Sequence, residues 1–114
     1  VFSGVYKIYD YQNALSLMEN IEPATFNDMI PSVFVGWDNT PRRGNNGITI
    51  KNNYPDLFER ELLRVKEKLI KSENNLGFLF INAWNEWAEG NYLEPDTVNN
   101  HAYLQAVKNV VNKL

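Results

Sequence analysis

Glu86 and Glu89 stand three residues apart within "NAWNEWAEGNYLEPD", residues 82–96. If the chain turns helically after Trp84, two carboxylates at that spacing leave on one side, with Cβ atoms about 5–6 Å apart. Cleavage of a glycosidic bond uses such a pair. One carboxylic acid protonates the leaving oxygen and the other serves as base or nucleophile, at about 5–5.5 Å in retaining enzymes and wider in inverting ones. Two acids that close do not both ionise cheaply, so one tends to stay protonated near neutrality and can serve as the acid. The same E-x-x-E spacing is also common on solvated helix faces, where it carries no chemistry. Its setting favours chemistry: Trp84, Trp87 and Tyr92 crowd the acids directly after an apolar run, and aromatic rings are flat apolar platforms for the C–H faces of sugars. Asn82 and Asn85 suit hydroxyl hydrogen bonding or orientation of the acids, although Asn82 at a strand end also suits the satisfaction of backbone groups. Glu94, in Glu94-Pro95-Asp96, either binds or belongs to a turn that starts the next helix.

A second unusual loop, "GWDNTPRRG" at residues 36–44, carries Trp37, Asp38, Arg42 and Arg43. Trp37 is a candidate stacking platform or a lid over a core. Asp38, Arg42 and Arg43 either grip polar or anionic substituents of a glycan or form a loop-stabilising ion pair.

These loops need elements to hold them. The β-branched and aromatic residues 33–35 read as a strand that breaks into a long polar loop. From Pro55 to about Ile70, Leu57, Phe58, Leu62, Val65 and Leu69 keep one helical face, with Pro55 suited to the first turn and Lys66, Lys68 and Lys71 toward the end. "LGFLFINAW", residues 76–84, is apolar at nearly every position, the pattern of a strand covered on both faces in a parallel sheet. A closing helix from about residue 100 aligns Tyr103, Leu104, Val107, Val110, Val111 and Leu114, with Asn99 or Asn100 as its N-cap. Near the start, Asp10 caps a helix whose apolar face is Ala14, Leu15, Leu17 and Met18.

Strands alternating with helices imply parallel pairing through right-handed crossovers. A parallel sheet needs both faces covered, and a (β/α) barrel takes eight strands in about 250 residues. The 114 residues are therefore expected to be a single partial domain, the C-terminal part of a (β/α)8 TIM-type barrel of the α/β class, with a small open three-layer α/β domain as the alternative. Val1 and the mid-pattern opening "VFSGVYKIYDY" carry the same expectation of upstream sequence. In such a barrel both loops sit on the C-terminal rim, where active sites are built.

The bulk composition excludes several classes. A net charge of −3 with interspersed signs offers no basic stripe for nucleic acid, and no apolar run is long enough to span a bilayer. The absence of cysteine rules out disulfides and thiolate metal sites but leaves the compartment open, with the cytoplasm preferred. His101 has no ligand-spaced neighbours, so no metal and no cofactor is expected. A partial barrel leaves strand edges unpaired, and self-association along such an edge is expected.

"FINAWNEWAEGNYLEPD" followed by "AYLQAV", with "VGWDNTPRRG" upstream, closely resembles the C-terminal part of the WbsX-like polysaccharide-biosynthesis proteins, which group with glycoside hydrolase family 99-like domains. The resemblance spans nearly the whole chain and implies a (β/α)8 barrel of which these residues form about the last third. In family 99 hydrolases, endo-acting on α-mannosides with retention through a 1,2-anhydro sugar, the two glutamates of the motif are catalytic. The resemblance makes Glu86 the base at the sugar 2-hydroxyl and Glu89 the general acid and then base at the leaving oxygen. Those hydrolases carry a histidine and a threonine where this chain has Ala88 and Asn91, so the substrate contacts differ. WbsX-like members are commonly described as glycosyltransferases of lipopolysaccharide O-antigen or capsule assembly. A nucleotide-sugar transferase needs a pyrophosphate site, and no Gly-rich phosphate loop or metal-binding acid pair is present. Hydrolase-like chemistry of the glutamate pair, cleaving or transferring glycosidic bonds of a glycan within polysaccharide biosynthesis, is therefore the expected activity, with a noncatalytic glycan-binding or structural fragment as the alternative and an inactive isolated chain expected either way.

Overall fold

A computed structural model describes residues 7–113; residues 1–6, within the opening stretch, and Leu114, expected on the stripe of the last helix, lie outside the described residues. The chain runs β1 (Lys7–Asp10), α1 (Tyr11–Ile21), β2 (Ser32–Phe34), β3 (Trp37–Asp38), the helical turn α2 (Thr40–Arg43), a 3-10 turn (Gly44–Asn46), β4 (Ile48–Lys51), α3 (Pro55–Lys71), β5 (Phe80–Asn82), β6 (Asn85–Glu86), a 3-10 turn (Trp87–Glu89), β7 (Asn91–Tyr92) and α4 (Ala102–Asn112). The architecture is mixed α/β with parallel pairs: β1 runs parallel to β4, and β2 to β5. β3 joins β4 antiparallel in the first of these sheets, and β6 and β7 form a separate short antiparallel pair.

The long helix α3 forms where its sequence signals it. Pro55 occupies the first turn with Asp56, and Lys68 and Lys71 lie in the last turn, each sign complementing the helix dipole. Its buried face, including Phe58, Leu62, Val65 and Leu69, packs with Tyr103, Ala106 and Val110 of α4 and with Val33 and Val35 at β2. Phe58 is fully buried, which stabilises the fold by about 1.5–3 kcal/mol relative to an exposed ring. The Ser72 hydroxyl ends the helix by donating to Lys68 O (2.9 Å) and accepting from Phe26 N (2.8 Å). Arg64 joins Glu61 (2.8 Å) to Glu22 (2.6 Å), which Lys68 also reaches at 2.9 Å, so the end of α1 is tied to α3. Asp10 caps α1 as expected, accepting from Asn13 N at 3.1 Å.

Several expectations are corrected. The polar loop after residue 35 is not structureless, because Ile48-Thr49-Ile50-Lys51 forms β4 and seats the loop on β1. The final helix is N-capped by His101 without a side-chain bond, while Asn100 sits in the left-handed region at φ 50°. Asp96 orders that entry instead, accepting from the backbone N–H groups of Val98 and Asn99. Val111 is exposed, outside the buried stripe. The run at residues 76–84 is not covered on both faces. Leu79 and Ile81 pack against the core under α3 and α4, whereas Phe78 (64%) and Phe80 (61%) face solvent, because no described element covers that side. Leu17 and Met18 of α1 are exposed too, beside an apolar groove of about 450 Å³ that includes Tyr9, Phe34, Trp37 and Ile50. No helix among the described residues is long and apolar enough to cross a membrane.

Candidate functional site

The parallel register of β2 on β5 aligns Phe34 with Asn82, so the two loops leave the sheet at the same end. They are fastened there by backbone and amide contacts. Val35 N donates to Asn82 O (2.9 Å) and to Asn91 Oδ1 (3.1 Å), and Gly36 N donates to the same Oδ1 (3.3 Å). Asn91 is wholly buried, and its Nδ2 has no hydrogen-bond partner among the described residues. Close approach at this junction requires glycine: a Cβ on Gly36 would lie 2.8 Å from Gly90 O and 2.5 Å from Asn53 Nδ2. Gly90, at φ 55°, closes the second loop with its own α-carbon against Asp38, where an added Cβ would meet Asp38 Cβ at 3.4 Å.

The acids sit on this junction, but not on a continuous helical turn. The chain after Trp84 makes the two-residue strand β6, pairing Asn85 with Tyr92 and Glu86 with Asn91, and only then the 3-10 turn that ends in Glu89. Glu86 is exposed and has non-helical backbone (φ −85°, ψ 68°). The Glu89 side chain is 21% exposed and lies 3.5 Å from Arg42 Nη1, whose own side chain is 64% exposed. The two loops therefore meet through an ion pair, and its acid is Glu89 rather than Asp38. Asp38 Oδ1 instead accepts from Thr40 N (3.0 Å), Thr40 Oγ1 (2.6 Å) and Thr49 Oγ1 (3.1 Å). Burial pushes the Asp38 carboxyl up, but these bonds and the charge of Lys51 together hold it below the usual carboxylate range. Arg43 lies exposed at the end of α2.

The aromatics form a platform beside the acids. Trp87 stacks on Tyr92 with centroids 3.7 Å apart and planes 14° from parallel. The indole Nε1 donates to Glu94 Oε1 (3.3 Å), and the Tyr92 hydroxyl donates to Asp96 Oδ2 (2.8 Å). Burial and the Asp96 carboxylate push the Tyr92 hydroxyl up to about 12. Trp84 is exposed, and its carbonyl accepts from Leu93 N (3.0 Å) and Glu94 N (3.2 Å), which fixes the base of the loop. The Asn82–Ala83 peptide between β5 and Trp84 is cis. Asn82 lies on the apolar groove with Trp37, on the far side of the sheet from the core.

A second hollow, about 400 Å³, opens between β3, β4 and residues 52–54. Its walls include Trp37, Asp38, Lys51, Asn53 and Tyr54, and Gly90 brings it against the glutamate loop. Only Trp37 and Asp38 are candidates from the sequence; the alternating "ITIK" before "NNY" is the signal that places Lys51, Asn53 and Tyr54 on the far wall. The arrangement offers two carboxylates on one loop, one of them held by a guanidinium, beside stacked rings and amides, which suits polyhydroxylated ligands. Among the described residues no cluster of three or more His, Cys, Asp or Glu could hold a metal ion.

The profile of the family described as "Glycosyltransferase WbsX" matches residues 2–107. The chain is also similar to two curated relatives named "Uncharacterized protein WxcX", from two strains of Xanthomonas campestris pv. campestris, each 35% identical over 113 residues. Those matches cover 98% of this chain and 16% of each relative, so the chain spans about a sixth of the length of the curated relatives it matches. No solved structure matches it significantly.

Proposed function

The chain belongs to the glycosyltransferase WbsX family, and from that premise we propose that its parent protein cleaves or transfers glycosidic bonds of a bacterial polysaccharide, with Glu86 and Glu89 as the reacting acids. In this reading β2 and β5 are closing strands of a (β/α)8 barrel. The exposed Phe78 and Phe80 then face its interior, and both loops stand on its catalytic rim. The observation that carries the reading is the convergence of the two loops at one end of a parallel pair, fastened by Asn91 and joined by Arg42 and Glu89.

The chemistry follows from the two positions. Glu86, exposed at the end of β6, removes the proton of the sugar 2-hydroxyl, and O2 attacks the anomeric carbon. The bond to the leaving oxygen breaks as Glu89, entering the step in its protonated form, delivers its proton to that oxygen. The 1,2-anhydro ring then opens as water or an acceptor hydroxyl attacks the anomeric carbon, its proton passing to Glu89 while Glu86 returns a proton to O2. Arg42 holds Glu89 in place, and Trp87 and Tyr92 offer a ring face to the sugar. Water as the second nucleophile gives hydrolysis and a sugar hydroxyl gives transfer.

Trapping tests the reading. Incubation of the full-length parent with an α-glycan substrate, with and without an acceptor glycan, should accumulate products in the native protein and none in Glu86→Gln, with the glycan still bound. Retained turnover in Glu86→Gln would remove the proposed base.

A further inference from the structure

We propose that the hollow between β3, β4 and residues 52–54 is a subsite for an uncharged pyranose ring of the glycan, adjoining the ring on which Glu86 and Glu89 act. Its place beside the reacting bond rests on the proposed function of that pair; its capacity to hold a sugar does not.

Three features point to a sugar. The volume, about 400 Å³, is at the small end of ligand pockets (~300–1,000 Å³), a size for a mono- or disaccharide unit rather than a long chain. Its walls combine aromatic rings, Trp37 and the half-exposed Tyr54, with the amides of Asn52 and Asn53, a mixture suited to C–H faces and hydroxyl edges together. Gly90, the residue after Glu89, is part of the same wall, so a ring seated there is contiguous with the acid loop.

The wall is also set before a ligand arrives, which lowers the ordering cost of binding. Tyr54 donates its hydroxyl to Asn52 Oδ1 (3.2 Å), and Asn52 Nδ2 donates to Asp10 Oδ2 (2.9 Å). Asn53 Nδ2 donates to Val35 O (3.3 Å), a seat open only because residue 36 lacks a Cβ. Asp38 is fixed through Oδ1 by three donors from Thr40 and Thr49.

The charges select the ligand class. Among the described residues of the wall, Asp38 and Lys51 carry the formal charges, and they cancel. An ionised carboxylate accepts hydroxyl protons and repels an anionic ring, while Lys51 donates to ring or hydroxyl oxygens. A neutral hexose or deoxyhexose fits this set better than a uronic acid.

The test uses the full-length parent on an immobilised panel of neutral α-linked mannose, glucose and rhamnose oligosaccharides beside oligogalacturonates of matched length, followed by kinetics on whichever glycan is turned over. Neutral glycans should be retained over the uronates. Tyr54→Ala and Lys51→Ala should each weaken binding about tenfold and raise KM with kcat kept, whereas Tyr54→Phe, which keeps the ring, should bind nearly as the native protein does. Preference for the uronates, retention of no glycan, or unchanged affinity in both alanine variants overturns the subsite. Glu89→Gln separates the two proposals. Turnover lost there with KM unmoved in the wall variants removes the subsite alone. Glycan binding lost in the wall variants, with no Glu89-dependent turnover, removes the catalytic pair and leaves the subsite standing.

Discussion

Replacing Asn91 with alanine should loosen the junction of the two loops by an amount the structure lets us work out. Asn91 is wholly buried, and its Oδ1 accepts from Val35 N at 3.1 Å and Gly36 N at 3.3 Å. Val35 N keeps a second acceptor, Asn82 O at 2.9 Å, so the substitution strands chiefly the Gly36 donor. One buried donor left unpaired costs about 1–3 kcal/mol. Removing the unpartnered Asn91 Nδ2 offsets part of that cost, which places the expected loss at the lower end, about 1–2 kcal/mol. For a domain near this size that is a fall in Tm of roughly 4–16 °C. Urea unfolding of this chain should show a lower midpoint at unchanged m. In the parent, kcat/KM should fall with it, because Glu86 pairs with Asn91 across β6 and β7. A variant that melts within 1–2 °C of the native chain would refute the role of Asn91 as the fastener.

Arg42→Gln should leave stability within about 0.5 kcal/mol, since the pair with Glu89 is largely exposed on the arginine side, yet lower kcat/KM of the parent several-fold by freeing Glu89; unfolding curves and steady-state rates measure the two effects, and unaltered rates count against Arg42 as a positioning residue. Stability should decline as pH falls from about 5. Burial raises Glu22, but Arg64 and Lys68 bring it below its ordinary value; Asp96 is lowered first by Asn99 N, and Asp38 lies below its ordinary value as well. Carboxylates lowered in the folded state contribute stability above their unfolded values and lose it as they protonate, so a denaturation midpoint flat from pH 7 to 3 would contradict this. The isolated chain should self-associate through Phe78, Phe80 and the open β2–β5 pair, and a clean monomer by light scattering at high concentration is the contrary result.

Much of this was legible where local chemistry and final environment agree. Pro55, the apolar spacing to Leu69 and the lysines near the end specify α3 without reference to anything distant. Asp10 caps α1 because capping needs only its own next three residues. The meeting of the two loops also follows from sequence, since parallel strands deliver their outgoing loops to one end. What was not legible depends on remote partners. The strand β4 is a four-residue alternation inside a polar stretch, and its pairing residue Lys7 lies about forty positions earlier. Asn91 reads as an ordinary loop amide until Val35 and Gly36 are brought to it. Asn99 and Asn100 have the composition of a helix cap, but Asp96 captures the backbone N–H of Asn99 and Asn100 turns left-handed, so the helix begins later. The apolar run at residues 76–84 reports hydrophobicity, not whether a layer is present to cover it.

Incubating the full-length parent with α-linked bacterial and mannose-type oligosaccharides, with and without an acceptor glycan, and following products by mass spectrometry tests the glutamate pair most directly. Released sugars or chain-extended products formed by the native protein and lost in both Glu86→Gln and Glu89→Gln are the result expected here. Products that persist in both variants, or glycans bound with no product from the native protein, would contradict it, the latter leaving residues 82–96 as a recognition surface.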